Sequence, residues 1–290
     1  MKIAGFSFIR NAEIYDYPIV EAIQSILPIC DEIYIAVGNS EDNTYDLVKN
    51  IDENKIKIIQ TVWNDQLREG GKVLADETNK AFQAIPNHFD WCFYIQGDEV
   101  FHEEGLELLY SCMKNELNNP KVEGFLMDYL HHYGSYDYIA TSRNWYRREI
   151  RVIRNNKNII SWKDAQGFRW SNQKKLSVKH SRTTMHHYGW VKSPDKQLFK
   201  QKNFNKYWHD DQWIQENIPN EWFDYSNIDR LELFQGNHPK VMQKRIKNKN
   251  WKFEHDLSKD RRNWKTKFLD FIEKKTGIRL FEYKNYILIE

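Results

Sequence analysis

The residues Gln96-Gly97-Asp98-Glu99 follow directly on an apolar run, Trp91-Cys92-Phe93-Tyr94-Ile95. The run reads as a buried strand. Nothing in strand packing asks for two adjacent carboxylates at its end. A site that must hold a cation or a proton does, because ionised oxygens are ligands for hard cations and titratable groups for proton transfer.

The elements that must position these acids are legible around them. Strands are expected at Lys2–Phe8, Glu32–Val37, Ile56–Val62 and Trp91–Ile95. Between them, helix faces recur: Ile19, Ala22, Ile23, Ile26 and Leu27 after Pro18, then Thr44, Leu47, Val48 and Ile51, then Leu74, Thr78, Ala81, Phe82 and Ile85. Pro18 suits a first helical turn. Strands alternating with helices imply right-handed crossovers and a mainly parallel sheet. Ligands of such sheets sit at the carboxyl ends of the strands, which is where Gln96–Glu99 falls. After Asn119-Pro120 the pattern changes. Val122–Leu130 reads as one more strand, and His131 to Trp190 is aromatic, basic and irregular. From Val241 to Lys267 ten Lys/Arg stand against three Asp/Glu, and the chain closes with a short helix, a Gly277 stop and a terminal strand.

Bulk properties exclude several classes. A chain of 290 residues suits one large α/β domain with an extension. A formal net charge of +2 gives no global signature of nucleic-acid binding. Cys30, Cys92 and Cys112 are odd in number and widely spaced, so neither a disulfide framework nor a zinc pattern is expected. The opening MKIAGFSFIRNAE is broken at Arg10-Asn11, too early for a secretory core. No run approaches the roughly 18 apolar residues that span a bilayer. The expected setting is the cytoplasm, free or at a membrane surface.

The order of these features resembles the GT-A-fold glycosyltransferases of the large family-two group, over roughly Met1 to Trp190. The resemblance rests on FSFIRNAE, GNSEDNT, EGGKVLADETNKAF, YIQGDE and TMHHYGWVKSP. It implies a GT-A (Rossmann-like), mainly parallel sheet flanked by helices, with an aromatic and basic acceptor half and a C-terminal helical extension. Residues 1–130 then form the nucleotide-sugar half, 131–230 the acceptor half of the same domain, and 231–290 a basic extension.

The resemblance implies donor contacts at Phe8, Arg10 and Asn11 and at Ser40 and Asp42. Gly38 stands where the family has a base-recognising acid, and capping of a helix is the competing role for Ser40 and Asp42. Gly71 and Lys72 lead a helix whose N-terminus can approach a diphosphate. The family's Asp-x-Asp is here Gln96-Gly97-Asp98, with an amide in place of the first acid. The implied cofactor is Mn²⁺ or Mg²⁺, held by Asp98 and by a late histidine, His187 with His186 as the fallback. Such a cation often needs only one or two carboxylates beside substrate phosphates and water. Lys192 and Lys196 are candidates for phosphate contact.

Inverting transfer requires a general base for the acceptor hydroxyl. The candidates between the two motifs are Asp128, Asp137, Glu149 and Asp164. Asp164 is preferred, because Trp162, Phe168 and Trp170 flank it and suggest a partly desolvated carboxylate with a raised pKa. On the acceptor side the expected residues are Tyr136, Trp145, Trp162 and Arg169, with Arg143, Arg147 and Arg148 suited to an acidic acceptor. The reading is a metal-dependent glycosyltransferase moving a sugar, a hexose by preference, from a nucleotide sugar, UDP-linked by preference, to a glycan or glycolipid. The alternative is a non-catalytic relative that binds sugar or protein. A sugar-nucleotide pyrophosphorylase is disfavoured, since FSFIRNAE lacks its Gly-rich basic signature. No nucleic-acid partner is expected; the basic C-terminal part offers peripheral contact with an anionic membrane or, as the blander reading, a solvated helical cap.

Overall fold

The computed structural model describes residues 1–219 and 221–290. Four parallel strands lie in the order β3 (Ile56–Thr61), β2 (Glu32–Gly38), β1 (Ile3–Ile9), β4 (Trp91–Tyr94). Each ends within one residue of its expected terminus. The crossovers are α1 (Ile19–Ile26), α2 (Thr44–Lys49) and α3 (Lys72–Gln83). Alternation along β1 explains the layering. Ile3 and Ile9 join a core with Ile19, Ile23 and Ile26 on one face, while Ala4 and Phe6 join Phe82 and Phe168 on the other. A sheet covered by helices or hairpins on both faces is the reason its strands read as continuous apolar runs.

Beyond β4 the sheet continues. The short β5 (Glu99–Phe101) and α4 (Leu106–Asn115) precede β6 (Gly124–Tyr133), β7 (Ser135–Ala140) and β8 (Arg148–Arg154). β8 is antiparallel to both β4 and β6, so β6 again runs with the parallel set. A hairpin, β9 (Ile159–Trp162) and β10 (Gly167–Trp170), stands apart as a second two-stranded sheet. The long β11 (Leu176–Trp190) pairs parallel with β6, antiparallel with β5 and, at its start, parallel with the terminal strand β13 (Tyr286–Leu288).

The stretch His131–Trp190, which reads as irregular, is therefore largely β-structure in the same sheet. Its periodicity is hidden by interruptions, among them the register shift of β11 between His180 and Thr184, where Arg182 takes a φ of 60°. α5 (Pro194–Phe204), α6 (Asp211–Asn217), the edge strand β12 (Leu231–Leu233), α7 (Gln243–Lys247) and α8 (Trp264–Thr276) complete the chain. Gly277, at φ 71°, ends α8 as expected.

Candidate functional site

A cavity of about 360 Å³ opens at the carboxyl ends of β1 and β4 and is roofed by α5. Asp98, Gln96 and Gly97 line it from the end of β4; His187 lines it from β11; Lys200 reaches it from α5; Asp164 enters from the β9–β10 turn. Phe8, Trp63, Phe204 and Tyr207 form an aromatic wall, with ring centroids 5.8 Å apart for Phe8–Trp63 and 5.7 Å for Trp63–Tyr207.

The two adjacent acids have opposite fates. Glu99 is fully buried and faces Arg151, whose Nε and Nη2 donate to its two oxygens at 2.9 and 2.7 Å; Tyr129 Oη donates to it at 2.7 Å. This is a closed ion pair, stacked between Tyr94 and Tyr129, with no acceptor left for a ligand. Asp98 instead meets the cavity. Lys200 Nζ donates to its Oδ2 at 3.1 Å and to the Gly189 carbonyl at 2.9 Å. Burial pushes the Asp98 carboxyl up, but the neighbouring cations, Lys200 foremost, outweigh it and hold the group well below the usual carboxylate range. A carboxylate so held is ionised at any working pH.

His187 Nε2 lies 3.7 Å from the same Oδ2. Its protonation is fixed by a relay. His131 Nε2 lies 2.6 Å from the Tyr146 carbonyl, which can only accept, so His131 carries its proton there. Burial, aided by His187, drives the His131 pKa down to about 3, so its Nδ1 is bare. His187 Nδ1, 3.2 Å away, must donate to it. Burial also lowers the His187 pKa. The neutral ring thus turns a lone pair on Nε2 toward Asp98, an orientation fixed from behind as for metal-binding histidines generally. Gly189 is required beside them: a Cβ there would lie 2.6 Å from Asp98 Oδ2 and 2.7 Å from His187 Nε2. A carboxylate oxygen and an imidazole lone pair facing one space fit a divalent cation, and Lys200 is the resident charge that would share Asp98 with it.

Asp164 sits in a strained turn, with φ of 53° at Lys163 and 63° at Ala165. Burial raises its pKa, as the aromatic surroundings suggest. Gly71 makes the room for it, since a Cβ at 71 would be 2.5 Å from Asp164 Cβ and 2.6 Å from Trp208. Gln96 Nε2 donates to the Ala165 carbonyl at 3.0 Å, so this amide ties the end of β4 to the turn that carries Asp164.

Among the residues expected from sequence, the cavity gathers Phe8, Arg10, Gln96, Gly97, Asp98, Trp145, Asp164 and His187. Arg10 is anchored on Asp65 at 2.6 Å. Asn11, Ser40 and Asp42 do not line it; they clasp two loops together. Ser40 Oγ accepts from Asn11 N, and Asp42 Oδ2 accepts from Glu13 N and Ile14 N. Lys72 leans out to Glu69, both exposed. Gly38 leaves room for Trp63, whose Nε1 would be 2.4 Å from a Cβ, so no acid fits there. Tyr136 lies behind the sheet near Tyr188 and Trp251. Trp162 stacks on Arg169, which is tied to Asn285 and Tyr283 of the C-terminal part.

The remaining arginines and lysines are spoken for as well. Arg143 pairs with Glu273, Arg147 with Glu282 and Arg148 with Asp128. Lys192 and Lys196 donate to the carbonyls of Asp16 and Ile14. Of the other base candidates, Asp128 is held by Arg148 and His180, and Asp137 by Ser135 and Lys249. Glu149 is buried beneath the turn, its pKa pushed up to about 8 by burial. Sequence reasoning missed Lys200, Arg151 and Tyr207. Three lysines, Lys196, Lys200 and Lys202, share this helix, and nothing local singles out the one that turns inward.

No family model matches the chain, and no curated protein matches its sequence. Solved structures give partial likenesses. TarS of S. aureus in complex with UDP-GlcNAc aligns at 20% identity over 46% of this chain and 36% of its own, with a TM-score of 0.34. Glucosyl-3-phosphoglycerate synthase from Mycobacterium tuberculosis, in complex with Mn²⁺, UDP and glucosyl-3-phosphoglycerate, aligns at 17% over 46% of this chain and 45% of its own, TM-score 0.31. The 4-diphosphocytidyl-2C-methyl-D-erythritol synthase from Anaerococcus prevotii aligns at 13% over 53% and 70%, TM-score 0.32. The chain thus spans about a third of the TarS structure and under half of the glucosyl synthase. Its site is accordingly read from its own residues: an α/β sheet presenting an anion, a bare imidazole nitrogen, an ammonium and a desolvated acid to one aromatic-walled cavity.

Proposed function

We propose that the protein is a GT-A-type glycosyltransferase that moves a hexose from a nucleotide sugar, UDP-linked in the first instance, to a glycan or glycolipid with inversion. The observation that carries this reading is the meeting of Asp98, His187 and Lys200 at the strand ends beside an aromatic wall. Phe8, Trp63 and Tyr207 offer flat faces for a nucleobase. Lys200 offers an ammonium to the diphosphate. Asp98 and His187 would hold one Mn²⁺ or Mg²⁺, which offsets charge on a departing nucleoside diphosphate. Asp164 takes the proton from the acceptor hydroxyl: burial raises its pKa and so makes its carboxylate a stronger base than that of an exposed aspartate. Trp145 supports the acceptor sugar from the cavity rim.

Lys200 favours a second reading in which its ammonium, already on Asp98, replaces the divalent ion. Hydrolysis of UDP-, GDP-, CMP- and dTDP-sugars with and without Mn²⁺ separates these. Mn²⁺-dependent turnover of one donor, lost in Asp98→Asn, supports the first; metal-free turnover lost in Lys200→Met supports the second. No turnover and no nucleotide binding by any donor would leave only a sugar- or protein-binding role.

We further infer that α8 brings the protein to an acceptor at a membrane surface. Trp264, Phe268 and Phe271, spaced to share one face, are 80%, 57% and 58% exposed, and Lys265, Lys267, Lys274 and Lys275 accompany them. Aromatic and lysine side chains on one surface helix suit an anionic bilayer interface. Co-sedimentation with anionic but not zwitterionic vesicles, weakened about tenfold in Trp264→Ser/Phe268→Ser, is the expected outcome; equal binding by the double variant would refute the contact.

A further inference from the structure

β6 and β11 run parallel, with His187 opposite His131. The pleat that turns these two rings toward the cavity turns His132 and His186 to the other face. Both are buried there, with His132 fully enclosed. His132 Nε2 lies 3.0 Å from His186 Nδ1. A third ring, His238, arrives from the segment after β12 and shares a 2.8 Å bond between its Nδ1 and Tyr188 Oη. One ring nitrogen from each of the three lies within 4.8 Å of the other two. The surroundings are rings: His132 stacks on Tyr188 at 4.6 Å, and Phe234 meets both His132 and His186 edge-on.

Packing alone gives a poor account of this cluster. Between His132 Nε2 and His186 Nδ1 there is room for one proton, and His132 Nδ1 is buried with no hydrogen-bond partner among the described residues. An unpaired buried polar atom costs about 1–3 kcal/mol, which phenylalanine would avoid. We propose that His132, His186 and His238 form a binding site for one divalent d-block cation, with Zn²⁺ the expected ion and water in the fourth position.

Buried neutral imidazoles are the ligands such ions prefer, whereas Mg²⁺ and Ca²⁺ want oxygen. Tetrahedral zinc with bonds of 2.0–2.1 Å separates its ligand nitrogens by about 3.3 Å. The His132–His186 pair already stands at 3.0 Å. The widest allowed separation, 4.8 Å, must close by about 1.5 Å, a distance that ring rotation of the less buried His238 can supply. A fourth histidine nearby, His102, is excluded as a ligand. Its Nδ1 accepts from Glu104 N at 3.3 Å, and its Nε2 donates to the Asn237 carbonyl at 3.1 Å. The ion would tie the segment that carries Phe234 and His238 to the back of the strand that bears His187. This site does not depend on the cavity transferring sugar.

The test loads the full chain with Zn²⁺ after chelator dialysis, removes free metal by gel filtration, and reads bound zinc and Tm. Wild type should retain one equivalent and lose several degrees of Tm on renewed chelation. His238→Gln should lose the zinc and the chelator response, while Asp98→Asn should keep both. Folded wild type without zinc, or zinc that follows Asp98 and not His238, overturns the proposal. X-ray absorption of the zinc-loaded wild type needs no variant to fold: a shell rich in imidazole supports the site, and an oxygen shell rejects it.

Discussion

The same dipeptide occurs on two neighbouring strands, His131-His132 on β6 and His186-His187 on β11, and the sheet divides each pair between two environments. On the cavity face, every ring nitrogen of His131 and His187 is accounted for by a directed chain that ends beside an ionised carboxylate and an ammonium. On the opposite face, the rings of His132, His186 and His238 lie among aromatic side chains, with a nitrogen left over. Identical residues therefore carry different chemistry because of the groups packed around their rings. Oxygen and charge surround the first set, which suits a hard cation and a diphosphate. In the second, three imidazoles converge with no carboxylate in the cluster and the Tyr188 hydroxyl on His238, which suits a softer ion.

The comparison breaks most sharply at Asp98. Replacing a group that organises charge at a reaction centre typically costs about 100- to 1000-fold in kcat. Asp98→Asn should show that loss in donor hydrolysis, at a temperature where circular dichroism confirms folding. His238→Gln, on the other face, should stay within a few-fold of wild type. Equal losses in both would mean that the two faces form one functional unit.

A smaller effect is expected at His131, which touches no substrate in the proposed scheme. It sets the tautomer of His187. Loss of such an orienting partner costs about 10- to 100-fold in metal affinity or activity. His131→Phe should therefore raise the Mn²⁺ concentration needed for half-maximal turnover, with less change at saturating metal. An unchanged metal requirement would show that His187 needs no orientation from behind.

The acid side of the stability curve tests both faces together. Burial holds His131 and His186 to pKa values of about 3. The unfolded chain takes up protons near the ordinary histidine value of about 6.5. Below that pH the unfolded state binds more protons, so each group contributes stability that is present above about pH 6.5 and lost as pH falls toward 3. Urea midpoints measured between pH 7.5 and pH 5 should fall in wild type. The fall should be shallower in His131→Phe and in His186→Phe, and a parallel slope in either variant would remove that ring from the account.

The parallel half was legible because its strands are apolar on both faces and its helices keep one apolar stripe, so β1 to β4 and α1 to α3 stand close to where the sequence put them. The position of Asp98 at a cavity was legible because a carboxylate after a buried strand has few structural reasons. The contacts of Arg10, Gly71 and Gln96 were not. Gly71 serves by lacking a side chain against Asp164 and Trp208, and Gln96 by reaching Ala165, partners about 70 to 140 residues away in sequence. The same holds for Glu99 and Arg151, and for Lys200. Each is defined by a contact between distant segments, which no local period encodes. The two faces of the histidine pairs were equally hidden, since a run read as irregular has no pleat to assign.

The smallest predicted effect sharpens the comparison from within the back face. His102 lies 5.4 Å from His186 between ring centroids, close enough to pass for a fourth ligand. Its hydrogen bonds say otherwise: one nitrogen accepts from Glu104 N, the other donates to the Asn237 carbonyl, and neither is left bare. His102→Gln should therefore retain zinc fully. It should lose only the value of one or two neutral hydrogen bonds, about 1–2 kcal/mol of unfolding free energy. Zinc lost from a folded His102→Gln would enlarge the site to four histidines and close its open position. Retention would leave three rings and a place for water, which is the arrangement that distinguishes this face from the one carrying Asp98.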